Sequence, residues 1–269
     1  MTLDVKGNRL AAALARGDCR IGAWLALDSP ASAEIAALAG YDWALIDLEH
    51  GEGDLRSAMG QVRALDGTRC DAVIRLPSHD AAGISRALDQ GIRSLMLPRV
   101  ETVDQARAIV RAAFYPPRGR RGSGGRVMRA SGYGTRPDYA QEAEDEVFLI
   151  LQLESVASLD ALEEIAGIDG VGALFVGPAD LAADMGHLGQ AGHADVQAAV
   201  EDAIERIRAA GLPAGIIDTG PGGCARWEAA GVTLLALAKD TDLLIDGMRQ
   251  VREGDGVPGV GDERRDTGP

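Results

Sequence analysis

One phrase recurs along this 269-residue chain: a short apolar run, a polar loop, a segment with apolar residues every three or four positions, a glycine, and the next apolar run. Strand and helix alternating over roughly 250 residues predict an α/β fold with parallel strands, and eight such units favour a closed (β/α)8 TIM barrel in a single domain over a doubly wound open sheet. Two details support this. Runs such as Trp43-Ala44-Leu45-Ile46 are continuously apolar, as strands covered on both faces are. Glycines stand where helices need a stop, at Ala39-Gly40, Gln90-Gly91, Gly167 to Gly170, Ala210-Gly211 and Ala230-Gly231, each ahead of an apolar run.

In order, the chain opens with a short amphipathic helix near Arg9 to Arg16. Strands are expected at Ile21 to Leu27, Trp43 to Asp47, Ala72 to Leu76, Ser94 to Leu97, Val147 to Leu153, Val171 to Val176, Ala214 to Ile217 and Val232 to Leu237. Intervening helices carry stripes at a 3.6-residue period, for instance Leu55, Ala58, Met59, Val62 and Leu65, or Val156, Leu159, Leu162 and Ile165. No linker divides residues 1–252. Two segments break the rhythm. Tyr115 to Tyr139 holds Pro-Pro, six glycines and Arg118, Arg120, Arg121, Arg126, Arg129 and Arg136. A mobile loop is expected there, because loops of this length are commonly functional or disordered and the glycines lack the Gly-Lys-Ser/Thr ending of a phosphate loop. Residues 253–269, glycine-rich and charged without periodicity, are expected to form a disordered tail.

Apolar residues make up 46% of the chain and charged residues 25%, the balance of a soluble globular protein. The net charge of −14 and the lack of a basic stripe argue against nucleic acid or an anionic membrane surface as a partner. No apolar run approaches the ~20 residues that span a bilayer, and no signal peptide is evident, so a cytoplasmic location is expected. Cys19, Cys70 and Cys224 are odd in number and lack C-x-x-C spacing, which disfavours disulfides or a zinc site. His79, His187 and His193 read as surface or capping residues without partners at metal spacing.

In a parallel barrel the strand ends converge on one mouth, where Asp47, Glu49, His50, Arg75, Gln152, Glu154, Asp180 and Lys239 are expected to meet. Glu154 and Asp180 follow consecutive strands. Two carboxylates with room for water suit a hard ion such as Mg²⁺ or Mn²⁺. Alternatively, Glu154 caps the helix starting near Val156 and Asp180 caps a turn. Arg75 offers a fixed cation to an oxyanion, or forms a structural ion pair with Asp47 or Glu49. His50, beside two carboxylates, is suited to acid-base work.

Leu45-Ile46-Asp47-Leu48-Glu49-His50, Val73-Ile74-Arg75, Tyr115-Pro116-Pro117, Gln152-Leu153-Glu154 and Gly177-Pro178-Ala179-Asp180-Leu181, in that order, resemble the metal-dependent pyruvate aldolases typified by 4-hydroxy-2-oxoheptanedioate aldolase and 2-dehydro-3-deoxyglucarate aldolase. The resemblance runs from about Ala12 to Arg249. It implies a (β/α)8 barrel, a homo-oligomer (a hexamer or trimer of dimers) with sites near subunit interfaces, and a divalent metal (Mg²⁺ or Mn²⁺, with Co²⁺ as a substitute) without an organic cofactor. It also implies reversible cleavage of a 4-hydroxy-2-oxo acid to pyruvate and an aldehyde, in the breakdown of aromatic compounds or sugar acids.

By the same resemblance Glu154 and Asp180 are metal ligands, while Gln152, Ala179 and Asp180 contact substrate. Arg75 stabilises the enolate and His50 is the base, made more basic by Asp89 of a neighbouring subunit, with Asp47 orienting its ring. The chain departs from the pattern at Gly125, at Ile217-Asp218-Thr219 and at Lys239. Lys239, one of two lysines beside Lys6, opens a second reading, a metal-free Schiff-base aldolase. Others are a lyase acting on a hydroxyacyl-coenzyme A ester, with the arginine-rich loop holding the nucleotide, and a keto-acid-binding protein without catalysis.

Overall fold

A computed structural model describes residues 7–254. Eight strands, β1 (Arg20–Leu25), β2 (Trp43–Asp47), β3 (Asp71–Arg75), β4 (Ser94–Leu97), β5 (Phe148–Leu153), β6 (Ala173–Val176), β7 (Ala214–Ile217) and β8 (Leu234–Lys239), close into a barrel in chain order. Every neighbouring pair is parallel. Helices α1 (Arg9–Ala15), α2 (Pro30–Leu38), α3 (Leu55–Leu65), α4 (Ala81–Asp89), α5 (Val103–Ala113) and α6 (Tyr139–Glu146) belong to the first half. The second half carries α7 (Val156–Asp160), α8 (Leu162–Ala166), α9 (Pro178–Asp184), α10 (Ala194–Ala209), α11 (Gly223–Ala229) and α12 (Asp240–Gly254). The expected tail boundary falls inside α12, which continues through Gly254; residues 255–269 lie outside the described residues.

Two apolar layers hold the fold. The inner one comes from alternate strand residues, among them Trp24, Trp43, Leu45, Val73, Met96, Phe148, Ile150 and Phe175. Helix α1 adds Leu10 and Leu14 to this cluster, and its cap Asn8 donates to Ser94 Oγ at 2.9 Å and to the Glu146 carbonyl at 3.2 Å. The outer layer lies between strands and helices, where the stripe of α3 buries Ala58, Met59, Val62 and Leu65 as its period requires.

The inner layer is tight enough to dictate glycines. A Cβ on Gly22 would lie 2.1 Å from the Trp43 indole, and one on Gly215 would lie 2.3 Å from the Phe175 ring. Each aromatic ring thus lies across the bare backbone of a neighbouring strand.

Beyond the tail boundary and shifts of one or two residues at the ends of β1, β3, β5 and β6, three more expectations differ from the structure. Strand β8 starts at Leu234 and runs two residues beyond Leu237, because a register shift between Gly22 and Ala23 admits an extra residue and sets Lys239 opposite Trp24. The stripe from Val156 to Ile165 is two helices meeting at Ala161. Arg206 Nη2 takes the Leu159 carbonyl at 2.7 Å, an acceptor a continuous helix would have spent on its own amide four residues on. The segment from Tyr115 to Tyr139, read as a mobile loop, is instead packed through its arginines. Arg121, with 1% of its side chain exposed, donates to Asp89 at 2.8 Å and lies over the Tyr115 ring. Arg118 pairs with Glu144 and Asp169, Arg129 with Asp66, and Arg136 with Glu142 and Glu146.

Gly22→Ala should lower the melting temperature by ~5–10 °C through overpacking against Trp43. Gly122→Ala, where an added Cβ meets nothing within 4 Å, should shift it by less than ~2 °C in the same thermal melt.

Candidate active site

Period-two alternation carries the inner layer into the mouth. Trp43 and Leu45 face the barrel axis, so Asp47 follows them there. Arg75 likewise follows Val73, and Gln152 and then Glu154 follow Phe148 and Ile150. All four are buried, with relative exposures of 4–5%.

Asp47 is the most heavily bonded of them. Its Oδ1 accepts Arg75 Nε at 2.9 Å and the backbone amides of Glu49 and His50 at 3.0 and 3.2 Å. Its Oδ2 accepts Arg75 Nη2 at 2.6 Å and Trp24 Nε1 at 3.1 Å. Burial opposes its charge, but the Arg75 hydrogen bonds and charge, joined by Trp24 and the His50 amide, outweigh it and hold the carboxyl below its ordinary range. The expected ion-pair alternative for Arg75 is thus present on both sides, since Nη1 also lies 2.7 Å from Glu49 Oε2. Two of the five guanidinium N–H groups are spent in hydrogen bonds to Asp47, and the approach of Nη1 to Glu49 is an ion pair without hydrogen-bond geometry.

His50 keeps 65% of its side chain exposed, with Nε2 3.8 Å from Glu49 Oε2. Asp47 meets the backbone of His50 rather than its ring. Burial raises the Glu49 carboxyl, against the pull of Arg75 and His50.

Glu154 is not a helix cap. Ser155 holds that role for α7, in a capping box with Ser158, which leaves the Glu154 carboxylate to the mouth. Its Oε2 accepts the Arg99 amide at 3.1 Å. A Cβ on Gly177 would lie 2.6 Å from Oε1, so glycine at the end of β6 is what admits this carboxylate. Desolvation first, then the charges of Asp180 and Glu49, push the Glu154 carboxyl up to about 7. Asp180 is exposed in the first turn of α9, which begins with Pro178 after Gly177 and has no side-chain cap. Ala179, also exposed, precedes it. The buried Gln152 Oε1 has no hydrogen-bond partner among the described residues.

An all-oxygen donor set, a carboxyl raised by burial and by two like charges, and an orphaned amide oxygen together fit a hard divalent cation at Glu154 and Asp180.

Other expected residues fall elsewhere. Asp89 ends α4 and accepts Arg121, and among the described residues it makes no contact with His50. Lys239 ends β8 in register with Trp24, on the mouth side, with no hydrogen bond or ion pair among the described residues. Asp218 is committed to structure, accepting Trp227 Nε1 at 2.7 Å and the Gly220 amide at 2.9 Å.

Two participants escaped the sequence. Trp24 was signalled only by its parity with Gly22 on β1. Arg99 holds φ 53, a left-handed conformation rare for a residue with a side chain, and that turn aims its amide at Glu154. Pro98 marks the strand end, but nothing in the sequence marks the turn.

In metal-free protein the folded state keeps the Glu154 proton up to about pH 7, whereas an ordinary glutamate releases it near 4.5. Stability contributed by that bound proton is therefore lost as pH rises through this window. Chemical denaturation of metal-free Glu154→Gln and the parent should differ little at pH 4.5. By pH 8 the variant should be the more stable by up to ~3 kcal/mol. A gap independent of pH would contradict the perturbed carboxyl.

A family model described as HpcH/HpaI aldolase/citrate lyase matches residues 20–246. The chain is similar to the hydroxypyruvate/pyruvate aldolase of Roseovarius nubinhibens, at 44% identity over 243 residues, covering 90% of this chain and 95% of that protein. It is also 44% identical over 238 residues to the 4-hydroxy-2-oxovalerate aldolase of Rhodococcus jostii, covering 88% of this chain and 92% of that one. The crystal structure of an HpcH/HpaI aldolase/citrate lyase family protein from Burkholderia cenocepacia superposes with a TM-score of 0.88 at 38% identity, over 92% of this chain and 98% of the other. With the family pattern spanning nearly the whole barrel and both relatives matched almost end to end, the chain belongs to the HpcH/HpaI aldolase/citrate lyase family and is a carbon–carbon lyase.

Proposed function

We propose that the protein catalyses reversible retro-aldol cleavage of a 4-hydroxy-2-oxo acid to pyruvate and an aldehyde, with Glu154 and Asp180 holding Mg²⁺ or Mn²⁺, or Co²⁺ in their place, and no organic cofactor. The observation that carries this reading is the buried Glu154, raised to about 7 beside Asp180 and Glu49 at the mouth that also holds Arg75. Such a cluster calls for a cation. When bound, that cation supplies Lewis-acid polarisation of the keto group.

The chain's own residues do the rest. Gln152 offers its unpartnered amide oxygen as an acceptor to a substrate hydroxyl or water, while the uncapped first turn of α9 at Ala179 and Asp180 offers backbone amides to the substrate carboxylate. His50, exposed to solvent and reaching through a water, takes the proton of the C4 hydroxyl. As that hydroxyl becomes the aldehyde carbonyl, the C3–C4 bond breaks and its electron pair passes into the pyruvate enolate. The N–H groups of Arg75 that Asp47 leaves free serve the enolate oxygen, and a solvent proton returned to C3 completes pyruvate. Asp47 acts through Arg75, fixing its guanidinium.

The same reading makes the enzyme a cytoplasmic homo-oligomer, a hexamer or trimer of dimers, in which Asp89 of one subunit tunes His50 of the next. Leu243, Leu244, Met248 and Val251 on α12 are 49–69% exposed, an apolar face that a second copy would cover. The aldehyde is a fragment from aromatic or sugar-acid breakdown. Among the alternatives, a Schiff base at Lys239 leaves the carboxylate cluster without a task. A coenzyme A ester would need free arginines, and four of the six in the 115–139 segment are committed to ion pairs.

Arg75→Lys keeps the charge but loses the fork, and should lower kcat for both aldol cleavage and pyruvate methyl-proton exchange by about 10²–10³. His50→Ala should lower kcat for cleavage by about 10²–10⁴ in the same assay. Near-normal turnover with Arg75→Lys, in protein shown to be folded by circular dichroism, would remove the guanidinium from the reaction.

A further inference from the structure

In the crossover from β6 to β7, the connection between α9 and α10 gathers the two histidines that the sequence left as isolated surface residues. His193 does cap α10, its Nδ1 accepting the Asp195 amide at 3.3 Å. His187 folds back against it, and the two imidazoles stack with centroids 3.7 Å apart and planes 16° from parallel. Asp195 closes the group. Its Oδ2 lies 3.8 Å from His187 Nε2 and 3.7 Å from His193 Nδ1, and the three donor atoms all fall within 4.8 Å of one another. We propose that His187, His193 and Asp195 form a second divalent-cation site, separate from Glu154 and Asp180.

The donor set is one such an ion takes. Zinc binds histidine nitrogen and carboxylate oxygen at ~2.0–2.2 Å, which sets tetrahedral donors roughly 3.4 Å apart. The carboxylate oxygen is already 3.7 and 3.8 Å from the two nitrogens, and binding would turn the imidazoles out of their stack so that their in-plane lone pairs converge. The His193 Nδ1 lone pair is taken by the Asp195 amide at 3.3 Å, a long bond that an ion would displace. Side-chain exposures of 27%, 35% and 71% for His187, His193 and Asp195 leave room for water to complete the shell.

Donor chemistry separates the two sites. Two imidazoles and one carboxylate select a borderline ion, Zn²⁺, Co²⁺ or Ni²⁺, whereas the all-oxygen mouth suits Mg²⁺ or Mn²⁺. An ion here would also join two helices. The His187 amide bonds the Ala182 carbonyl of α9 at 2.7 Å, and Asp195 lies in the first turn of α10. The occupied site would tie the end of α9, whose first turn carries Asp180, to the start of α10.

The test is a Co²⁺ titration of metal-stripped full-length protein, read by the visible d–d absorption of nitrogen-ligated Co²⁺, with Mg²⁺ in saturating excess to block the mouth. The parent should take up one equivalent, with affinity falling as pH is lowered because ligating imidazoles must lose their protons. His187→Ala with His193→Asn, which keeps a good helix cap, should abolish that uptake; Glu154→Gln should retain it. Asp195→Asn leaves both imidazoles and the cap in place and should weaken binding at least about tenfold. No uptake by the parent in excess Mg²⁺ would overturn the proposal. Uptake that survives the histidine substitutions, or that Glu154→Gln abolishes, would overturn it equally.

Discussion

The buried pairing of Arg75 with Asp47 is the constraint on which the mouth depends. Two parallel hydrogen bonds of one fork, 2.9 and 2.6 Å long, join the ends of adjacent strands at residues the β2–β3 register sets directly opposite each other. Breaking such a pair strands a charge away from water, at a cost of about 3–5 kcal/mol. Asp47 therefore carries more than its ion pair: the same carboxylate holds the amides of Glu49 and His50 and the indole of Trp24. The turn that presents His50 and the cation that faces the substrate are consequently positioned by one side chain.

A few ångströms of environment divide the mouth's carboxylates by role. Asp47, saturated with donors, is kept ionised. Glu154 has one backbone donor, little solvent and two like charges nearby, which raise it to about 7. A carboxylate left short of hydrogen bonds by its own chain is available to something else. Packing maintains that difference. Gly177 makes space for Glu154, Ser155 relieves it of capping α7, and the left-handed Arg99 supplies a single amide.

The barrel was legible because period two runs unbroken from core to mouth: whoever sees Trp43 and Leu45 facing inward must place Asp47 inward as well. The same counting finds Arg75, Gln152 and Glu154. What sequence could not resolve were choices between equivalent local uses of a residue. Glu154 and Ser155 are both good caps for α7, and only the fold shows that serine takes the position. The 115–139 segment reads as mobile because, Arg136 with Glu142 and Glu146 aside, its paired arginines find their partners far away in sequence. Those partners, Asp66 and Asp89 before it and Glu144 and Asp169 after it, are brought in by tertiary contact. His187 and His193 were separated in the same way, since the five residues between them gave no sign of folding one ring onto the other.

The central claim is that the carbonyl chemistry runs through the Glu154–Asp180 carboxylates and not through Lys239. It is tested most directly by pyruvate release from a panel of 4-hydroxy-2-oxo acids, with added Mg²⁺ or Mn²⁺, with EDTA, and with borohydride present. The account predicts activity that EDTA abolishes, that either ion restores and that borohydride leaves intact. Chelator-resistant activity, lost as borohydride traps a covalent adduct on Lys239, would contradict it.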